Sequence, residues 1–154
     1  MFQYSIKMFG VYLFTIRDAV TNVIIRRSMA FNLIPTVGRA AIANHLTDPS
    51  PSPTSLRINF TALGSGSTAP ANGDTTLETE TFRKAVASQT NLNNVAFATA
   101  FYTASEAVGT HNEAGLFIGA TITPDSGTLF SRVAITITKT NTETLTIDYT
   151  ITIT

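Results

Sequence analysis

The sequence predicts a mainly β protein, sandwich or barrel-like, with one or two short helices, and three observations carry that reading. At the C-terminus Leu145, Ile147, Tyr149, Ile151 and Ile153 alternate with Thr146, Asp148, Thr150, Thr152 and Thr154. One face of that strand is apolar and the other nearly all threonine. The same period of two returns at Leu56, Ile58, Phe60 and Ala62, and again over 95–102. Charged residues make up only 13% of the chain, against roughly 25% in an average globular protein. Uncharged Thr, Ser and Asn therefore supply much of the polar surface, and β-branched Thr suits a pleated, half-solvated face.

From the N-terminus, residues 10–18 and 23–31 are runs of β-branched, aromatic and aliphatic residues separated by Ala19, Val20, Thr21 and Asn22, the pattern of a hairpin. The apolar stretch 8–16 is too short to cross a bilayer and lacks a small-residue cleavage site before Arg17 and Asp18, so it is read as strand. Beyond Pro35, Val37, Ala41, Ile42 and His45 recur at helical spacing and predict a short helix, with Thr36 as its cap and Asp48-Pro49 as its end. Pro49, Pro51 and Pro53 cannot join a ladder, which makes this stretch a connector. After the strand at 56–62, the run GSGSTAPANGD at 64–74 reads as a loop.

Residues 75–88 have mixed periodicity; Asp74 and Thr75 suit an N-cap, and a short helix leading into a strand is expected. In a helix Glu80 and Arg83 would sit side by side. Over 95–102, Val95, Phe97, Thr99 and Phe101 share one face and Ala96, Ala98 and Ala100 the other. Strands follow at 113–118 and 129–138, and 139–144 is expected to fold the latter back on the terminal strand as a hairpin. The 154 residues fit one domain, 1–154, with an N-terminal hairpin and helix at 1–48, the connector at 49–55 and a β core at 56–154.

Ten basic and ten acidic residues cancel, so neither nucleic acid nor an anionic membrane is an expected partner. Without cysteine there is no disulfide framework, zinc ribbon or thiol nucleophile. Gly64-Ser65-Gly66-Ser67 lacks the lysine of a phosphate-binding loop. His111 and Glu113 share the HxE spacing of zinc deaminases but not their cysteine ligands, and a turn is expected there. Glu78 and Glu80 lie close along one element, which suits a solvated face or ion pairs better than a glycosidase pair. No nucleophile elbow is present, and no catalytic residue, metal or cofactor is expected.

Four motifs stand in a fixed order. The strand and loop through Ala62, Leu63 and Gly64 come first; Leu77, Glu80 and Arg83 form an LxxExxR run; Glu113-Ala114-Gly115-Leu116-Phe117 follows; Gly127 to Arg132 leads into the last strands. With Asn32-Leu33-Ile34 and Gly38-Arg39 ahead of them, these resemble the N-terminal, particle-attaching domain of bacteriophage tail-fibre and tail-collar proteins. Such proteins usually continue into a repetitive shaft and a receptor-binding tip, so the resemblance implies the attachment module alone or a small structural protein built on it. It implies location in the virion, at the tail more than the head, contacts with other virion proteins, and a homo-oligomer.

Gly64 and Gly115 are then expected to allow close backbone approach, and Leu116 and Phe117 to fill the core and an adjoining layer. Glu80, Arg83, Glu113 and Arg132 are candidates for buried or interfacial pairing, or else for surface charges, and Leu77 of the LxxExxR run is a further interaction or structural candidate. Thr150 marks the threonine face as a candidate subunit contact. A capsid decoration protein and a carbohydrate-binding adhesin module are the alternatives.

Overall fold

A strand with one apolar face needs a second layer against which to bury it, and the chain supplies that layer itself. The computed structural model describes residues 7–50 and 56–154, and among these are nine strands and one helix. In chain order they are β1 (Met8–Asp18), β2 (Ile24–Phe31), α1 (Thr36–Thr47), β3 (Ile58–Gly64), β4 (Glu80–Ala85), β5 (Ser88–Leu92), β6 (Val95–Tyr102), β7 (Gly109–Ile118), β8 (Thr128–Lys139) and β9 (Glu143–Ile153). Sheet A has the order β2-β1-β9-β6-β5 and sheet B the order β4-β3-β7-β8, every pairing antiparallel. The mainly β, sandwich-like class agrees with the alternation in the sequence.

Between the sheets, Tyr12, Phe14 and Ile16 of β1, Ala98, Ala100 and Tyr102 of β6, and Leu145, Ile147, Tyr149 and Ile151 of β9 join one core with Leu63, Ala114, Leu116, Ile118, Phe130, Val133 and Ile137 of sheet B. The alanine side of β6 is therefore its inner face, and Phe97 and Phe101 are left outside. Polar groups cross the core in pairs: the Tyr12 hydroxyl donates to Ser131 Oγ at 3.0 Å, and Asn32 Nδ2 donates to the same oxygen at 2.6 Å. Burial pushes the Tyr149 hydroxyl up to about 12, so it keeps its proton at ordinary pH.

Most of sheet B is buried on both faces, although Ala134, Thr136 and Thr138 of β8 are exposed. Ala62, Leu77, Phe117, Ala120 and Leu129, with Val37 of α1 and Phe60 at the margin, form a second cluster on its outer side. Two-sided burial explains why β7 reads as the unbroken run Ala114, Gly115, Leu116, Phe117, Ile118. The helix seats against β8 at Gly38, where a Cβ would lie 2.8 Å from the Phe130 carbonyl oxygen.

Several expectations are corrected. Pro35, not Thr36, is the N-cap residue; Thr36 is already helical, and its hydroxyl accepts from Arg39 Nη2 at 3.1 Å. Residues 75–88 contain no helix: the chain runs as loop to Thr79 and then as β4. His111 and Asn112 lie inside β7 rather than in a turn. The expected closing hairpin does not form, because β8 belongs to sheet B while β9 crosses to sheet A and inserts between β1 and β6. Since β1 pairs with β9 along its whole length, the N-terminal hairpin is part of the β core and not a unit beside it. Of the connector, residues 51–55 lie outside the described residues.

Candidate functional site

β7 presents Glu113 on the outer side of sheet B, opposite Gly64 of β3. The residue is 1% exposed, and both carboxylate oxygens are filled. Oε1 accepts the N–H groups of Gly66 at 3.1 Å and Thr79 at 2.8 Å; Oε2 accepts the Glu78 N–H at 3.0 Å and Arg132 Nε at 2.9 Å. The backbone donors come from both ends of the 65–79 loop, which Ser65 N–H to Thr79 O at 2.9 Å also draws together. One buried carboxylate thus closes the loop over the sheet, and its charge is offset by charge-assisted hydrogen bonds.

Arg132 of β8 extends the same network. Its Nη1 donates to Asp74 Oδ2 at 2.6 Å, its Nη2 donates to the Thr68 carbonyl at 3.2 Å, and Glu78 Oε2 lies 3.8 Å away. Burial disfavours charge on Arg132, yet Asp74 and Glu113 outweigh it and raise its pKa above the ordinary value. Burial likewise opposes ionisation of Asp74, but the Ala71 N–H and Arg132 hold its carboxyl below the usual range. The Thr68 N–H and hydroxyl do the same for Glu78.

Glycine is required where this network approaches the backbone. A Cβ on Gly64 would lie 2.5 Å from Glu113 Oε1 and from the Thr79 carbonyl oxygen. At Gly115 it would lie 2.9 Å from Leu77 Cδ2, so the side chain that plugs the loop onto the sheet rests on that bare backbone.

A second ion pair stands beside the first. β4 carries one extra residue where Leu63 pairs with Phe82 and Gly64 with Glu80, a bulge that turns Glu80 to the same face as Arg83. Arg83 donates Nε to Glu80 Oε1 at 2.7 Å and Nη2 to Oε2 at 2.8 Å, with both side chains buried. Its Nη1 reaches the Ser126 carbonyl at 2.8 Å, tying down the β7–β8 connection, and its guanidinium lies 4.3 Å from the Phe117 ring centre. The reading of these four charges as surface groups is therefore incorrect, and Glu78 and Glu80 serve separate arginines.

Gly64, Leu77, Glu80, Arg83, Glu113, Gly115, Phe117 and Arg132 thus meet on the outer side of sheet B, while Leu116 faces the inter-sheet core. Thr150 lies elsewhere, in the middle of sheet A's outer face, between Val11 of β1 and Phe97 of β6. His111 is buried, its Nε2 2.9 Å from the Ala107 carbonyl oxygen.

Nothing in the sequence marks Asp74, Glu78 and Ser126 as partners for the arginines. Their loops carry no periodicity; the only signal was acidic residues in a segment with little else to pack. The reversal at 139–144 is legible in the sequence but the contacts that hold it are not: Lys139, 1% exposed, donates Nζ to the Ala104 carbonyl at 2.9 Å, and Glu143 accepts the Thr140 N–H at 2.8 Å and Arg26 Nη2 at 3.0 Å.

Comparison with known proteins finds no matching family model, no matching curated protein and no matching solved structure.

Proposed function

We propose that the chain is a structural part of a bacteriophage virion, associated with the tail at a fibre-attachment, collar or baseplate position, and acting through protein–protein contacts rather than catalysis. The observation that carries this reading is convergence. Residues from four separate motifs, far apart in the chain, meet on the outer side of sheet B in two adjacent ion-pair clusters, one fastening the 65–79 loop and the other the β7–β8 connection. Motifs that share one structural task are what a common domain would require, and this supports the resemblance to tail-fibre and tail-collar attachment domains.

Immunogold labelling of purified particles, with mass spectrometry of separated heads and tails, tests the reading. Label on the tail is the expected result. Label confined to the head would replace the tail assignment with capsid decoration, and absence from the particle would remove both.

A further inference from the structure

The two sheets are finished differently. Much of the outer side of sheet B is covered by α1, the 65–79 loop and their apolar cluster, whereas no element of the described chain lies over the outer side of sheet A. That uncovered side carries Phe9 (55% exposed), Met29 (63%), Phe31 (74%), Leu92 (67%), Phe97 (37%) and Phe101 (42%), around the central threonines of β9. Large aromatic side chains gathered on one exposed face mark an interaction surface.

We propose that this face is the contact between two copies of the chain, packed sheet against sheet about a two-fold axis. Its area suits that occupant: five strands spaced about 4.8 Å apart and roughly 30 Å long present on the order of 700 Å², close to the ~800 Å² per partner of a stable complex. Its charges suit a copy of itself. The strands place Arg17, Arg27 and Asp148 there; Arg17 donates to the Asn22 carbonyl at 3.0 Å, and Asp148 accepts from the Thr99 hydroxyl at 2.8 Å. Arg27 and Asp148 lie two strands apart and form no ion pair with each other or with any described residue. A two-fold axis brings Arg27 of one copy to Asp148 of the other, and repeats the pair by symmetry. Flat threonines at the centre let the two sheets approach, with the aromatic residues interdigitating around them.

The inference rests on the assembly reading for its biological setting, but its test is separate. Sedimentation equilibrium of the full chain from about 1 to about 100 µM is expected to show a dimer. Phe97→Lys and Thr150→Lys should each raise the dissociation constant about tenfold or more with an unchanged circular-dichroism spectrum, while Ala134→Lys on β8 should leave it unaltered. If Phe97→Lys fails to fold, Phe31→Lys at the exposed rim replaces it. A wild-type chain that stays monomeric throughout overturns the proposal and assigns the face to a different protein; a dimer that survives both variants also overturns it. A monomer whose label sits on the tail overturns only the dimer, and a dimer absent from particles overturns only the virion reading.

Discussion

Glu113 accepts four hydrogen bonds and Arg132 contacts three carboxylates, so neither can be removed without leaving the other buried and under-paired. Breaking such a pair costs about 3 kcal/mol or more. Glu113→Gln is expected to lose that much, because an amide NH₂ would face either the Arg132 donor or a backbone N–H. Lys84 and Glu106 form an ion pair that is about one-third exposed on each side, and Lys84→Met should cost under about 1 kcal/mol. Urea unfolding midpoints at constant slope would measure both; equal losses would show that the Glu113 network is no stronger than a surface pair. At this scale the sequence marked Glu113, Gly64 and Gly115 through their motifs. It could not mark Asp74 or Ser126, whose roles exist only because a folded loop brings them to an arginine.

The 65–79 loop behaves as an element although it has no regular secondary structure. It is fastened by carboxylates, and those of Asp74 and Glu78 ionise more readily in the folded chain than in the unfolded one. Groups with depressed pKa contribute stability that is complete above the ordinary carboxylate values near 4. That contribution is lost as pH falls through the lower folded values. The amide NMR signals of Thr68 and Ala71 should therefore titrate below about pH 4; midpoints at or above that value would mean the carboxylates are not held by their partners. The acidic residues of this segment were visible in the sequence. The cap-like Asp74 and Thr75 and the three-residue spacing of Glu80 and Arg83 suit a helix, and the bulge in β4 that aligns that pair in a strand leaves no local trace.

For the whole molecule, the position of β9 decides most. It is a central strand with β1 on one side and β6 on the other, and Leu145, Ile147, Tyr149 and Ile151 fill the core. A chain ended after Lys139 should fail to show cooperative unfolding in calorimetry, whereas an edge hairpin could be removed with the sandwich intact; a sharp transition in that variant would contradict the central placement. The sequence by itself determined the β character, the helix near 37–46 and the inward side of β9, because periodicity is local and records which face meets water. It also marked most of the residues of the sheet B network. Only the tertiary structure decided that β9 leaves β8 and joins β1 across the sandwich, because a turn sequence specifies a reversal but not which strand edge receives the returning chain. The partner edges here are supplied by strands more than a hundred residues and about fifty residues away. The chain covers much of the outer side of sheet B with α1 and the 65–79 loop, and among the described residues nothing covers the threonine face of sheet A.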